Sequence, residues 1–331
     1  MIQHRLKRYF VYLIIILSCA IVFINEFLIY SIYRLSWSSI SCRTANCTTV
    51  LFVADPQILG ETFDTNFYSS LAIYDSDQHL KSTFARAFAY SKPDVICFMG
   101  DLMDEGSVAS DDSYQRYLKR FNYIFRTNGN VVRIHIPGDN DIGGESDDYV
   151  TPFKSKRFHN AFNETNATFV RNYLRFLNIN LITRKFPTLN DSDTEKYSAM
   201  ANIVLTHFSI LSYPGLTMKQ ILDRFKPIVI FSAHTHSSRI ITYPPQNVDN
   251  VYDYRIVKVQ LHSDGMDDSR KYTEIMIPTS SYRMGVLNIG FGFAVIDADE
   301  ITYTMLWSPN RFVCLTIYGI WFGFALKKKE D

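Results

Sequence analysis

Five short apolar runs in this chain each end in an aspartate or a histidine, and that recurrence restricts the fold more than any other feature. Residues 50–54 run into Asp55, 95–99 into Gly100-Asp101, and 131–136 into Pro137-Gly138-Asp139. Residues 203–206 run into His207, and 228–232 into Ala233-His234-Thr235-His236. Apolar runs this short suit strands buried on both faces. Helical patterns separate the first three. One covers 80–90 and stops before Pro93; the other covers 114–125, where Tyr114, Tyr117, Leu118, Phe121, Ile124 and Phe125 recur at helical spacing ahead of Gly129. Strands alternating with helices predict βαβ units and a mainly parallel sheet covered by helices. Such sheets collect ligands at the carboxyl ends of their strands, where all these acids and imidazoles fall. Further runs at 256–261, 272–277 and 291–296 have few helices between them and predict a second sheet, hence an α/β fold of the four-layer α/β/β/α sandwich type.

The chain has 331 residues, enough for one catalytic domain with accessories. Lys plus Arg number 34 against 33 Asp plus Glu. No bulk field therefore draws it onto nucleic acid, and function must come from local sites.

The ends are apolar. Residues 10–33 are long enough for a spanning helix, and His4, Arg5, Lys7 and Arg8 before them place the N-terminus in the cytosol. A cleaved signal peptide shares this pattern. Residues 312–326 form a second apolar segment of about 22 Å as a helix, bounded by Arg311 and by Lys327, Lys328 and Lys329. Snorkelling of Arg311 and Lys327 would let it span, and a helix docked on the domain is the alternative. Two spans make a hairpin: residues 1–9 cytosolic, 34–49 a luminal linker, 50–311 a luminal domain, and 327–331 a cytosolic tail. Lys328-Lys329-Glu330-Asp331 resembles a dilysine retrieval signal, which cargo receptors and coat read from the cytosol. The sequons at Asn46, Asn163, Asn166 and Asn190 all lie between the spans. Among five cysteines, Cys42 and Cys47 are the near pair that an oxidising lumen would allow to bond. These signs predict a multi-pass protein of the endoplasmic reticulum membrane that cycles to the Golgi.

A single aspartate at a strand end is usually a cap or turn residue. Five strand ends carrying Asp, Asp, Asp, His and His-x-His bring together the ligand types of divalent metals, and anionic groups converging on one edge call for cations. The set resembles the calcineurin-like metallophosphoesterases, whose motifs run D-x-H, G-D, G-N-H-[DE], H and G-H-x-H. Here they read Asp55-Pro56-Gln57, Gly100-Asp101, Gly138-Asp139-Asn140-Asp141, His207 and Ala233-His234-Thr235-His236. The resemblance implies two metals. Asp55 and His236 hold the first, Asp101 bridges, and Asp139, His207 and His234 hold the second. Gln57 stands where many members have a histidine, as a weak ligand or as a supporting residue. The implied reaction is attack on phosphorus by a hydroxide held between the metals.

Two departures shape the chemistry. Asp139 replaces the usual asparagine, and the added carboxylate favours oxygen-loving Mn²⁺ or Mg²⁺ over zinc. Asn140 replaces the histidine thought to protonate the leaving group. It can donate a hydrogen bond to phosphoryl oxygen but supplies no acid, leaving His79 or His262 as replacement acids.

Several phrases narrow the branch: Ala54-Asp55-Pro56-Gln57, the stretch 100–106 (GDLMDEG), the stretch 137–145 (PGDNDIGGE) and the stretch 281–285 (SYRMG). They are similar to the members that remodel glycosylphosphatidylinositol (GPI) anchors. That resemblance implies removal of ethanolamine phosphate from an anchor mannose, with GPI-anchored proteins as substrate. Other readings are a phosphoesterase of a nucleotide, lipid headgroup or phosphoprotein, and a non-catalytic phosphate-binding export factor.

Overall fold

Residue alternation explains how the strands build two packed cores. The computed structural model describes residues 2–62, 66–170, 174–187, 200–261, 270–297 and 299–330. An N-terminal helix α1 (Ile2–Phe23) continues through a π-helical turn (Ile24–Leu28) into α2 (Ile29–Leu35). The first sheet's parallel part follows, as β1 (Thr48–Val53), α3 (Ser69–Ser91), β2 (Val95–Phe98), α4 (Asp111–Ile124) and β3 (Val132–His135). In β1, Val50 and Phe52 face the inter-sheet core, while Leu51 and Val53 face helices, as a period of two requires. Residues Val95 and Cys97 of β2 point inward, and Ile96 and Phe98 meet Leu80, Phe84 and Phe121 of the covering helices. Helix α4 starts at Asp111, three residues before the expected stretch 114–125, where a polar cap opens it: Ser110 accepts from the Ser113 N–H, and Asp111 and Asp112 occupy the first turn.

The middle of the chain supplies α5 (Asp139–Ile142), α6 (Pro152–Phe162), β4 (Ala167–Val170), β5 (Leu174–Asn178), β6 (Ala201–Leu205), α7 (Leu216–Phe225) and β7 (Val229–Ser232). Then come β8 (Arg239–Tyr243), β9 (Asn247–Asn250), β10 (Val257–Gln260), β11 (Tyr272–Met276), β12 (Ile289–Ile296), β13 (Glu300–Ser308) and a final helix α8 (Arg311–Glu330). One sheet has the order β10-β13-β12-β1-β2-β3 and the other β4-β5-β6-β7-β11-β8-β9. They stack face to face, with Phe52 and Phe231 in ring contact at 4.1 Å. Helices α3, α4 and α6 cover the outer face of the first sheet, and α7 covers that of the second through Met218, Ile221, Leu222 and Phe225. This is the four-layer order expected.

The boundaries differ in places. Helix α3 begins at Ser69, eleven residues before the expected start at Leu80, because Ser76, His79 and Thr83 are polar yet buried. Strands β4, β5, β8, β9 and β13 and helices α6 and α7 escaped the sequence reading. Cys42 and Cys47 are bonded to each other. Asn46, Asn163 and Asn166 are exposed, whereas Asn190 lies outside the described residues.

The terminal helices pair antiparallel. Trp321 Nε1 donates to Ser18 Oγ at 2.9 Å, and Asn25 Nδ2 donates to the Cys314 carbonyl at 3.3 Å. Arg311, at the root of α8, bonds Glu26 at 2.8 Å and Asp75 of α3 at 2.6 Å. Among the described residues, one helix, Arg8–Leu35, is long and apolar enough to cross a membrane, a property shared by signal sequences; the apolar part of α8, Arg311–Ala325, is shorter.

Candidate metal centre

Parallel pairing in register brings the strand ends together. Strand β1 pairs with β2 and β2 with β3, while β5, β6 and β7 pair in parallel in the other sheet. The loops after β1, β2, β3, β6 and β7 therefore meet on one edge of the sandwich. Asp55, Gln57, Asp101, His234 and His236 all have left-handed backbone, with φ of 43°, 36°, 50°, 65° and 57°. Non-glycine residues seldom adopt it, and such strain gathers where a side chain must be aimed.

Two clusters result, each with ligand atoms within 4.8 Å of one another: Asp101, Asp139, His207 and His234 in one, Asp55, Asp101 and His236 in the other. Asp101 belongs to both. In the first, His207 Nε2 lies 3.1 Å from Asp139 Oδ1 and 3.5 Å from Asp101 Oδ1, and His234 Nδ1 lies 3.2 Å from Asp139 Oδ1. The ring of His207 is set by its other nitrogen. Nδ1 lies 2.8 Å from the Met99 carbonyl, which can only accept, so Nδ1 carries a hydrogen and Nε2 is left facing the acids, to share a proton with them or to give its lone pair to a metal ion.

The clusters fit metal ions. Both carboxylate oxygens of Asp55 are buried and lack any hydrogen-bond partner, a costly state for an anion unless a cation sits against it. Burial, and after it the charge of Asp101, pushes the Asp55 carboxyl well above the usual carboxylate range. Burial and the charge of Asp139 raise Asp101. Burial works to lower His207, but the surrounding acids, Asp101 foremost, push it up to about 10. Each shift expresses the same shortage of positive charge, which divalent ions would supply.

Close packing explains two glycines. A Cβ on Gly100, whose φ is +94°, would lie 2.4 Å from His207 Nδ1, and one on Gly138 would lie 2.1 Å from Asp101 Oδ1. Gln57 and Asn140 both serve Asp101. Gln57 Nε2 donates to Oδ2 at 3.1 Å and lies 3.4 Å from His236 Nε2, so its amide nitrogen rather than its carbonyl oxygen faces the cluster. Asn140 donates from its backbone N–H to Oδ1 at 3.0 Å and from Nδ2 to Oδ2 at 3.1 Å. His79 lies elsewhere, correcting its candidacy as a replacement acid. Its Nε2 bonds the Pro309 carbonyl at 3.0 Å, its ring packs on Tyr30 and Tyr282, and burial holds its pKa down at about 4. His262 lies outside the described residues.

Other residues organise the site around the ligand clusters. Asp141 is buried and accepts from the N–H groups of Leu102, Met103 and Gly138 at 3.0–3.1 Å, tying the Asp101 loop to the Asp139 loop. Glu274 does the same for the histidine loops, accepting from Ile210 N at 3.2 Å, Leu211 N at 2.6 Å and Ser232 Oγ. Thr279 Oγ1 donates to the Asp55 carbonyl at 2.7 Å. Glu145 lies against Asp139, whose hydrogen bond and charge raise its carboxyl. A buried acid in a strand resembles a folding defect until its partners are known, which is why Glu274 went unnoticed.

Comparison with known proteins adds an independent line. Metallophosphoesterase 1 of Xenopus laevis is 28% identical over 154 residues, 45% of this chain and 36% of its own length. Metallophosphoesterase 1 of Gallus gallus is 25% identical over 228 residues, 65% of this chain and 55% of its own. The chain thus spans between about a third and a half of these relatives' length. A solved metallophosphoesterase from Sphaerobacter thermophilus aligns over 78% of this chain and 87% of its own, at 10% identity and a TM-score of 0.37, too distant to carry weight. The calcineurin-like phosphoesterase profile matches residues 48–238, which contain every residue of both clusters. With more than half its length so matched, the chain belongs to the calcineurin-like phosphoesterase family.

Proposed function

We propose that this chain is a two-metal phosphodiesterase that removes ethanolamine phosphate from a mannose of GPI anchors, on the luminal side of the endoplasmic reticulum membrane. The observation that carries the hydrolase part is the sharing of Asp101 between two adjacent ligand clusters, the arrangement two cations need to act on one phosphorus centre. Asp55 and His236 would hold one ion, Asp139, His207 and His234 the other, with Asp101 between them. Bound divalent ions, by ligand preference Mn²⁺, supply acidification of water and neutralisation of phosphoryl charge.

The protein's own groups do the rest. Gln57 and Asn140 fix the orientation of Asp101 through its two oxygens, and the Met99 carbonyl fixes the tautomer of His207. Asn140 donates hydrogen bonds but carries no titratable proton, so it positions charge rather than protonating a leaving group. The anchor specificity rests on the phrases at 100–106, 137–145 and 281–285. The luminal assignment is supported by exposed sequons at Asn46, Asn163 and Asn166 and by the Cys42–Cys47 disulfide.

The test is Asp101→Asn in cells lacking the wild-type chain, read by mass spectrometry of anchor glycans. Retained ethanolamine phosphate is the expected outcome. Normal anchor trimming by the variant would defeat the hydrolase reading and favour a phosphate-binding role in cargo export. Trimming that is normal even without the protein would defeat the anchor assignment alone, and a panel of phosphodiesters would then find the substrate.

A further inference from the structure

The start of α3 carries an apolar stripe that the domain's own packing leaves uncovered. Leu71 and Tyr74, at i and i+3 on its first turns, are exposed by 68% and 63%, and Phe67, in the turn just before the helix, by 102%. From Ser76 onward the same helix turns inward, burying Ser76, His79, Leu80, Thr83 and Phe84. A stripe at this spacing is the usual mark of a helix face meant to be covered.

Its position indicates what covers it. Helix α3 is tied near its start to the N-terminal and C-terminal helices. Asp75 bonds Arg311, which also bonds Glu26; His79 packs against Tyr30; and Tyr90 packs against Trp37 at 5.0 Å. Asp75 thus joins the start of α3 to the junction of the terminal helices, and α1 before Glu26 exposes Ile15, Ile16, Val22 and Phe23. From Asp75 back to Leu71 is about 6 Å at helical rise. Leu287, 74% exposed, sits at the same end, because Asn310 Nδ2 holds the Val286 and Leu287 carbonyls at 3.1 Å beside the root of α8.

We propose that Phe67, Leu71, Tyr74 and Leu287 form a bilayer-contacting surface that seats the catalytic domain on the membrane from which α1 and α8 emerge. Aromatic and aliphatic side chains beside the root of membrane helices suit the headgroup boundary. A cavity of about 200 Å³ adjoins the start of α3, lined by Tyr68 and Ala72, by Arg283, and by Asp104 and Glu105, which follow Asp101 closely in sequence. The seat would let a substrate keep its lipid in the bilayer while its phosphate-bearing head reaches the site. This rests on the membrane-anchored, phosphodiesterase reading given above.

The test uses the full chain in phosphatidylcholine nanodiscs, with a benzophenone side chain introduced at Leu71 or Tyr74 and, as control, at Tyr123, which is exposed on α4. Illumination is expected to attach lipid at the first two positions and not at Tyr123. No lipid at either, or attachment to protein instead, would overturn the proposal. In the second arm, F67S/L71S should hydrolyse bis(p-nitrophenyl) phosphate at the wild-type rate and lose about 10-fold or more against a lipid-tethered phosphodiester in the same nanodiscs. Equal rates on the tethered substrate would also overturn it. A wild-type protein inactive on both substrates would defeat the phosphodiesterase reading, leaving cross-linking to decide the membrane seat.

Discussion

Placing a methyl group on Gly138 is expected to disable the site through sterics alone. The φ of Gly138 is −102°, accessible to alanine, so backbone strain is not at issue. The new Cβ would lie 2.1 Å from Asp101 Oδ1 and 2.4 Å from the Asp101 backbone nitrogen, where real Cβ atoms keep about 3.0 Å. The gap must open by about 0.9 Å. Asp101 has little freedom to yield, since Asn140 binds both its oxygens and Gln57 binds Oδ2. A misplacement of about 1 Å at a reacting centre costs about 10²-fold in rate, or about 2.7 kcal/mol in activation free energy. Overpacking should add about 1–3 kcal/mol of lost stability. The assay is kcat/KM of Gly138→Ala on bis(p-nitrophenyl) phosphate, with metal content and Tm measured alongside. Gly129→Ala is the control: its φ is +90° but nothing lies within 4 Å of the added carbon. It should lower stability, and with it Tm, by the cost of left-handed backbone, about 1–2 kcal/mol, and leave the rate unchanged. If Gly138→Ala keeps wild-type kcat/KM and its full metal content, the shared position assigned to Asp101 is wrong.

Two further outcomes follow from the charge arrangement. Chelated protein should lose stability as pH rises from about 7 to about 9: the folded pKa of His207, about 10, lies above its unfolded value of 6.5, so the native state holds more protons across that window and the contribution fades upward. His236, lowered to about 4, titrates below it; a Tm of chelated protein that is flat or rising over this range would refute the account. Arg311→Met leaves Asp75 and Glu26 without their shared cation, and breaking so buried a pairing costs about 3–5 kcal/mol. The readout is Tm in detergent, with proteolysis at residues 36–47 as a second measure, and an unchanged Tm would show that the terminal helices are not anchored there.

Much of the site was readable before any coordinates, because its residues follow directly after buried strands. Asp55, Asp101, Asp139, His207, His234 and His236 each end an apolar run or follow it by a few residues, and a parallel sheet places such ends together whatever the details. The same logic found the four layers, since two families of strands with covering helices leave few other ways to bury their faces. Long polar helices were harder. The first turns of α3 were missed because the partners of Asp75 and His79, namely Arg311, Tyr30 and Tyr282, stand far off in sequence.

Strand patterning and motif order, local features of the chain, thus determined the fold class, the edge that carries the chemistry and the identity of the metal-seeking side chains. Tertiary structure alone decided that Gln57 and Asn140 turn their nitrogens toward Asp101 and that His79 belongs to the helix junction. It alone tied the start of α3 to the terminal helices through Asp75 and Arg311. Each of these depends on distances between residues remote in sequence, and hydrophobic periodicity, which records only whether a side chain is buried, holds no information about which neighbour it is buried against.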